Sequence, residues 1–202
     1  IGRNVEVYVD DMVVKSQSVS QHVTDLEEVF GEIRKYNMRF NLEKCTFGVG
    51  GGKFLGFMIT HRGIEANPDK CSVILQMHSP TSINEVQKLN GRLAALSRFL
   101  PKLAEKAKPF YKLLNKTTQF LWNEECEKAF EEFKKTIAAP PILSQPRQGA
   151  PLLLYLSVAD EAINSALVQE EGKYQIPVYF TSRMLHDSEK RYQMIEKLAL
   201  AL

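Results

Sequence analysis

Five apolar residues in the middle of the chain recur at steps of 3, 4, 3 and 4 positions, and this stripe is the strongest constraint on the fold. The stripe consists of Val86, Leu89, Leu93, Leu96 and Leu100. Because a helical turn takes about 3.6 residues, this spacing places all five side chains on one side of an α-helix. The stripe therefore predicts a helix over residues 84–100 that buries this side against other elements.

Two more helical segments follow the stripe. Pro101 and Pro109 punctuate the first, which ends near Asn115, and Asn123 is the predicted N-cap of the second. The apolar face of the second segment is formed by Cys126, Ala129, Phe130, Phe133 and Ile137. The middle of the chain, residues 79–139, is therefore predicted to be helical.

Strand patterns flank this helical region. Residues 4–14 predict a β-hairpin whose strands are separated by Asp10-Asp11. A helix with Val23, Leu26, Phe30 and Ile33 on one face is predicted next, followed by strands around Phe40–Phe47 and Lys53–Thr60. Beyond a Pro- and Gly-rich linker from Pro140 to Pro151, the predicted elements are strands Leu152–Val158, Ile163–Gln169 and Tyr174–Ser182 and a helix from about Ser188. This order predicts an α+β fold in three regions, 1–78, 79–139 and 140–202.

Composition excludes several classes of protein. The 202 residues are 44% hydrophobic and 25% charged with a net charge of +2, which is typical of globular proteins and excludes disordered and fibrous ones. No signal peptide or transmembrane segment is visible, and the three cysteines lie far apart, so we expect a reducing, intracellular setting and no structural zinc. Both ends interrupt an element, which indicates a piece of a longer protein.

Tyr8-Val9-Asp10-Asp11 is the most specific short motif. Two adjacent carboxylates between β-branched strands suit hard divalent cations such as Mg²⁺, and a pair of such ions can support in-line nucleotidyl transfer. The alternative is a solvated acidic turn. Asp-Asp is, however, a poor two-residue turn, so its presence there requires another reason.

The chain resembles the reverse transcriptases of long-terminal-repeat retroelements, most closely the gypsy-type Pol polyproteins of plants. The matching strings are, in chain order, Tyr8-Val9-Asp10-Asp11, Asn41-Leu42-Glu43-Lys44-Cys45, Leu55-Gly56-Phe57, Gly63-Ile64, Asn67-Pro68-Asp69-Lys70, Phe120-Leu121-Trp122 and Ala129-Phe130. Each string is weak alone, but their order and spacing are specific. The resemblance implies a partial polymerase palm over 1–78, a thumb with connecting helices over 79–139, and a truncated ribonuclease H-like β-β-β-α module over 140–202.

The resemblance also implies roles for individual residues. Asp10 and Asp11 would hold Mg²⁺ or Mn²⁺ with a third carboxylate from outside this chain, and Tyr8 and Val9 would border the nucleotide and primer terminus. The primer end would be gripped by a hairpin at Leu55, Gly56 and Phe57, although an apolar strand around a glycine is more often core. The implied partners are an RNA or DNA primer–template duplex, deoxynucleoside triphosphates and the rest of the Pol polyprotein, in a cytoplasmic retroelement particle or the nucleus.

The side of the 84–100 helix opposite the stripe carries small residues edged by polar ones, namely Gln87, Gly91, Ala94, Ala95 and Arg98. In the resembled family this helix follows the minor groove of the duplex, and Gln87 and Gly91 match its positions. A contact with another helix is the alternative.

A basic stretch begins on the same helix. It contains Arg98, Lys102, Lys106, Lys108, Lys112 and Lys116 against Glu105, a local charge of +5. Such a stretch suits phosphate contacts, although a solvated surface is an equally good explanation for any single lysine.

The C-terminal module departs from the ribonuclease H pattern at its metal ligands. Ser157 stands where the first-strand Asp belongs and Leu198 where the helix Glu belongs. Asp160 lies three residues away, in a predicted turn, and Glu196 lies about 200° around the helix, so neither is a substitute. We therefore expect no nuclease activity at this site.

Three hypotheses remain open at this stage. The first is a polymerase fragment that is inactive alone, because the fingers and the third carboxylate are missing. The second is a non-catalytic nucleic-acid-binding or scaffolding remnant of a decayed element. The third is an active ribonuclease H that uses Asp160 or Glu196.

Overall fold

The computed structural model describes residues 2–114 and 120–202, which form two compact units, 1–61 and 62–202. Asn115 and Lys116 lie outside the described residues, so the predicted end of the second helical segment and the last cation of the basic stretch are not placed. Among the described residues, no helix is both long enough and apolar enough to cross a bilayer.

The first unit contains two antiparallel hairpins and one long helix. Its elements are β1 (Val5–Tyr8), β2 (Asp11–Val14), α1 (Val19–Lys35), β3 (Gly51–Phe54) and β4 (Phe57–Thr60). Ser18 caps α1 by accepting a hydrogen bond from the Gln21 N–H. The predicted apolar face of α1 is wrong in part, because Val23 is exposed whereas Asp25, Val29 and Ile33 are buried.

Two strand predictions in this unit are wrong. The Phe40–Phe47 segment contains a 3₁₀ turn, Leu42–Lys44, instead of a strand. The Asn41 side chain accepts a hydrogen bond from the Glu43 N–H, and this local bond competes with strand pairing. The single strand predicted over Lys53–Thr60 is instead a hairpin, because the chain reverses between Phe54 and Phe57, and this reversal agrees with the hairpin that the resemblance implies at Leu55.

The second unit joins a helical layer to a three-stranded sheet. Its elements are β5 (Gly63–Glu65), α2 (Pro68–Leu75), α3 (Ile83–Ala94), α4 (Leu103–Lys106), α5 (Lys108–Leu113), α6 (Glu124–Ala138), β6 (Leu152–Val158), β7 (Ala162–Glu171), β8 (Tyr174–Met184) and α7 (Met194–Ala201). The sheet order is β6-β7-β8, and both pairings are antiparallel. Helices and antiparallel sheets together confirm the predicted α+β class.

The helical core follows the predicted stripe. All five stripe residues are at most 2% exposed, although the α-helix ends at Ala94 and a 3₁₀ turn over Ser97–Phe99 replaces its predicted last turn. Pro101 disfavours helical backbone at Leu100, which is extended at φ −113° and ψ 92°.

The apolar face predicted for α6 is confirmed, because all five of its residues are buried. Asn123 caps this helix by accepting from the Cys126 N–H at 3.0 Å. Trp122 stacks on Phe110 with ring centroids 5.5 Å apart, which extends the core beyond the start of α6.

The predicted Pro- and Gly-rich linker is irregular but hydrogen-bonded to its surroundings. Ile64 and Leu143 exchange two backbone hydrogen bonds of 2.8 and 2.9 Å, and the Ser144 N–H donates to the Pro177 carbonyl at 2.9 Å. Gly63 has φ 134°, and a Cβ built there would lie 2.3 Å from the Leu143 carbonyl oxygen. Only glycine fits this close approach without a shift of the backbone.

The C-terminal module has the predicted β-β-β-α order. Its last helix starts at Met194 instead of Ser188, because the chain first forms a 3₁₀ turn over Glu189–Arg191. Arg183 holds this turn through hydrogen bonds of 2.7 and 3.2 Å to the Glu189 carboxylate.

Candidate functional site

The Tyr8-Val9-Asp10-Asp11 motif forms the tip of the β1–β2 hairpin. Tyr8 pairs with Asp11, so the two-residue turn is Val9-Asp10, and Asp11 is the first residue of β2. The turn predicted at Asp10-Asp11 is therefore displaced by one residue. All four residues of the motif are exposed.

Val9 carries the conformational strain of this turn. Its φ is 52°, a left-handed conformation that β-branched residues rarely adopt, and its side chain is 81% exposed. A positive φ at the first central residue alone is typical of type II′ turns, which favour glycine there. The hairpin therefore holds a residue that its backbone disfavours, and the side chain gains no burial in return.

The two carboxylates at the tip are suited to bind a hard cation, but only in part. Neither Asp10 nor Asp11 has a hydrogen-bond or ion-pair partner among the described residues, so their oxygens are available. Divalent cations such as Mg²⁺ prefer six oxygen ligands, several of them water. The described part of the chain contains no group of three or more His, Cys, Asp or Glu residues placed to hold a metal. The pair can therefore supply two ligands of such a site, and the described part of the chain offers no third acidic, His or Cys ligand beside them.

The base of the same hairpin is held by a buried carboxylate on α1. Asp25 accepts hydrogen bonds from Ser16, Gln21 and Asn4, and these bonds hold its pKa below the usual value for aspartate. Sequence reasoning missed this residue, because its donors come from three separate segments.

Leu55 and Gly56 form the two-residue turn between β3 and β4. Both have positive φ, 52° and 77°, as in a type I′ turn, and Leu55 is 42% exposed. An exposed leucine at a strained turn does not behave as core, which was the alternative for this string. Phe57, the first residue of β4, is half-buried.

The outward face of α3 is open, as the stripe predicts. Gln87, Gly91 and Ala94 on this face are exposed, and so are Ala95 and Arg98, which lie beyond the end of α3. A Cβ built on Gly91 meets no atom within 4 Å, so no other described element packs at this glycine. The alternative of a helix–helix contact therefore finds no support within the described chain.

Much of the basic stretch is engaged within the molecule. Lys102 lies 3.9 Å from Glu105, Lys108 lies 2.6 Å from Glu161, and Lys112 lies 3.7 Å from Glu125; these lysines are all partly exposed, where pairing is weak. The Arg98 guanidinium lies over the Tyr179 ring, 5.5 Å from its centroid. Lys106 forms no ion pair among the described residues.

A groove of about 460 Å³ between α2 and α3 adds cations that the sequence did not point to. Its lining includes Lys70, Lys88 and Arg92 together with Asp69. Lys88 and Arg92 are four positions apart and beside Gly91, a spacing that could have identified them. Lys70 could not be found in this way, because α2 brings it to the groove from another segment.

The two positions where nuclease carboxylates are expected, Ser157 and Leu198, lie on β6 and α7. Asp160 is an exposed residue of the β6–β7 turn, as predicted. The Glu196 carboxylate accepts from the Gln193 N–H at 2.8 Å and completes the capping box of α7, so it has a structural role. Ser157 and Leu198 are both half-buried.

Strand alternation separates these two positions further. Ser157 pairs with Asn164, whose amide donates to Glu105 at 3.1 Å on the α4 side of the sheet. Val158, the next residue, packs with Ala201 of α7 on the opposite side. The structure therefore does not bring the strand position and the helix position to one face of the sheet.

Comparison with known proteins agrees with this architecture. Residues 2–127 match the family model described as "Reverse transcriptase (RNA-dependent DNA polymerase)", and residues 122–202 match "RNase H-like domain found in reverse transcriptase". The "Retrovirus-related Pol polyprotein from transposon 297" of Drosophila melanogaster is 32% identical over 100% of this chain and 19% of its own length. The "Transposon Tf2-3 polyprotein" of Schizosaccharomyces pombe is 27% identical over 98% of this chain and 15% of its own length. The chain thus spans about a fifth or less of these relatives.

Solved structures show the same fold. The foamy viral protease-reverse transcriptase in complex with RNA/DNA hybrid aligns over 98% of this chain and 27% of its own, with a TM-score of 0.82 and 25% identity. The same viral enzyme in complex with dsDNA aligns over 98% of this chain and 42% of its own, with a TM-score of 0.80 and 25% identity.

Proposed function

Because this chain belongs to the reverse transcriptase family, we propose that it is the part of a retrotransposon RNA-directed DNA polymerase that supplies two metal-binding carboxylates and binds the primer–template duplex. Asp10 and Asp11 are the ligands, and the third carboxylate lies outside this chain. The observation that carries the proposal is the exposed, unpaired carboxylate pair at the tip of a strained hairpin. Val9 does not stabilise this turn, because its φ is positive and its side chain is exposed. A role of the motif in ligand binding therefore explains the presence of Val9 better than a role in folding.

In this proposal the chain contributes two negatively charged ligands and holds them beside the substrates. A bound pair of divalent ions would activate the primer 3′-hydroxyl and neutralise the triphosphate. Asp10 and Asp11 hold their oxygens outward for such ions, while Tyr8 and Val9 border the nucleotide and primer terminus. Deoxynucleoside triphosphates are the proposed second substrate, and the rest of a Pol polyprotein supplies the missing parts of the site.

The duplex is proposed to lie along the open face of α3. Gly91 lets the duplex backbone approach closely, Gln87 offers an amide at the edge of this face, and the proposed phosphate contacts are made by Arg98, Lys102 and Lys106. The primer end is gripped by Leu55, Gly56 and Phe57. The proposed regions are a palm over 1–78, a thumb with connecting helices over 79–139 and a ribonuclease H-like connection over 140–202.

The ribonuclease H-like part is proposed to be catalytically inactive. Ser157 and Leu198 supply no carboxylate, Asp160 lies in a turn and Glu196 caps α7. A degenerate module of this kind fits a plant gypsy-type element, which is the subtype that we propose.

The test is primer extension by the full-length parent protein with Mg²⁺. Asp10→Asn and Asp11→Asn are each expected to lower the rate by at least about a thousandfold, since metal-bound charge stabilisation is worth several kcal/mol. Asp160→Asn, which alters an exposed carboxylate in a turn, is the matched control and should leave both extension and hybrid cleavage unchanged.

Three outcomes would contradict the proposal. Full extension by the Asp10→Asn protein would exclude this residue as a metal ligand. A wild-type protein that binds duplex but never extends a primer would favour a non-catalytic nucleic-acid-binding remnant instead. Hybrid cleavage lost with Asp160→Asn or Glu196→Gln would favour an active nuclease.

The isolated 202-residue chain should bind duplex without extending a primer, because one carboxylate of the site is missing. Primer extension by this chain alone would refute that expectation.

A further inference from the structure

The base of the β1–β2 hairpin is closed by a buried carboxylate, that of Asp25 on α1, which is 5% exposed. Its Oδ1 accepts from Asn4 Nδ2 at 3.1 Å and from Gln21 Nε2 at 3.0 Å, and its Oδ2 accepts from Ser16 Oγ at 2.5 Å. Three donors satisfy one buried charge, so the carboxylate is fixed in place.

Two of these donors flank the strands at the base of the hairpin stem. Asn4 directly precedes β1, and Ser16 follows the end of β2 by two residues. The Lys15 N–H donates to the Asn4 carbonyl at 2.8 Å, so the backbone also closes at this level. Asp25 therefore ties both strands to α1 at the end of the stem opposite Asp10 and Asp11, where Asn4 also donates to the Glu28 carboxylate of α1 at 3.1 Å.

The hairpin has little else to hold it. Two strands of four residues are marginally stable at best without packing against a helix. Among residues 2–61, those that are buried are Asn4, Asp25, Val29 and Ile33. Two of these four residues, Asn4 and Asp25, form the polar contact at the base of the hairpin. The orientation of the stem therefore depends on this contact.

Such a hairpin amplifies any movement at its base. Four extended residues span about 13 Å, so a tilt of about 5° at the base moves the tip by about 1 Å. A misplacement of this size at a reacting centre can cost about a hundredfold in rate.

We propose that Asp25 is a positioning residue, whose hydrogen bonds to Asn4, Ser16 and Gln21 fix where the hairpin presents Asp10 and Asp11 to the metal ions. The inference rests on the proposed polymerase function and deepens it. Asp25 touches no substrate, and it acts through the hairpin stem.

The experiment measures primer extension by the full-length protein as a function of Mg²⁺ concentration. Asp25→Leu is expected to lower kcat at least about tenfold and to raise the Mg²⁺ concentration for half-maximal rate, while the Kd for primer–template stays unchanged. Asp25→Asn keeps the shape and one acceptor oxygen, so its kcat should stay within about threefold of the wild type.

Glu27→Leu is the matched control, because Glu27 is an exposed carboxylate on α1 without a partner among the described residues. An Asp25→Leu protein whose kcat and Mg²⁺ dependence match those of Glu27→Leu would overturn the inference. A loss of primer–template affinity that accounts for the whole fall in rate would also overturn it.

If the Asp25→Leu protein does not fold, the Ser16→Ala protein is tested in its place, because this substitution removes only one of the hydrogen bonds to Asp25. A raised Mg²⁺ requirement then supports the inference, and an unchanged one overturns it.

The two proposals fail separately. If Asp10→Asn abolishes extension and Asp25→Leu does not impair it, the positioning role alone is wrong. If Asp10→Asn extends like the wild type, the polymerase site is wrong and the positioning role is wrong with it.

Discussion

The backbone conformation of Val9 could not be predicted from the sequence. The alternation of Val5, Val7 and Val13 predicts a hairpin correctly, but it does not determine which two residues form the turn. Placing a β-branched residue at φ 52° contradicts turn preferences, so no propensity rule would select it. The one-residue error in the predicted turn arises at the very motif that is proposed to bind metal.

Val9→Gly should raise the free energy of unfolding by about 1 kcal/mol, because glycine adopts positive φ without steric cost. Urea unfolding, followed through hydrogen exchange of the hairpin amides, measures the change. Val7→Gly places glycine at an extended strand position and should instead lower stability. Equal destabilisation by both substitutions would mean that the turn is not strained.

Asp25 gives a prediction about pH. Hydrogen bonds from Ser16, Gln21 and Asn4 lower its pKa, so its contribution is present above the ordinary aspartate pKa and is lost as pH falls through the lowered value. The difference in unfolding free energy between wild type and Asp25→Asn should be flat from pH 7 to about 5 and shrink below about pH 4. Urea unfolding over this pH range measures it, and a difference that stays constant to pH 2 would contradict the prediction.

At the scale of elements, periodic segments were predictable and irregular ones were not. The apolar stripe of α3 and the inner face of α6 follow from spacing alone, because each buries one side of a helix. The Phe40–Phe47 segment has strand-like composition, but a local Asn41 hydrogen bond leads to a 3₁₀ turn. The predicted α+β class is correct despite this error, because the long amphipathic helices define the core.

Helix α4 depends on the sheet for its cap. Its N-cap residue Lys102 provides no side-chain hydrogen bond, and the Ala104 N–H donates instead to Ser182 Oγ at 2.8 Å. Ser182→Ala should therefore lower the free energy of unfolding by about 1 kcal/mol in urea titrations. Thr181→Ala changes an exposed neighbour on the same strand and should have little effect. Equal losses would argue against the cap.

For the whole molecule, duplex binding should depend on which cations are already paired. Lys106 has no ion pair among the described residues, whereas Lys112 lies 3.7 Å from Glu125. Lys106→Ala should reduce the salt slope of duplex affinity by about 0.9, the value for one phosphate contact, and Lys112→Ala should reduce it less. Fluorescence anisotropy at several salt concentrations measures both slopes. Identical slopes for the two variants would contradict the assignment.

The sequence could not reveal contacts between distant segments. Asn164 lies in a predictable strand, yet its bond to Glu105 joins residues 59 positions apart. The α2–α3 groove likewise combines Lys70 with Lys88 only after folding. Local pattern predicts elements and motifs, whereas the long-range polar contacts that orient them appear only in three dimensions.

The backbone pairing of Ile64 with Leu143 has a practical consequence for dissecting the protein. A protein truncated after Ala139 would lack Leu143, whose side chain is 3% exposed, and would leave the N–H and carbonyl of Ile64 without these partners. The irregular segment after Ala139 thus stabilises a strand residue that lies 79 positions before Leu143, and a stable N-terminal piece should retain this segment.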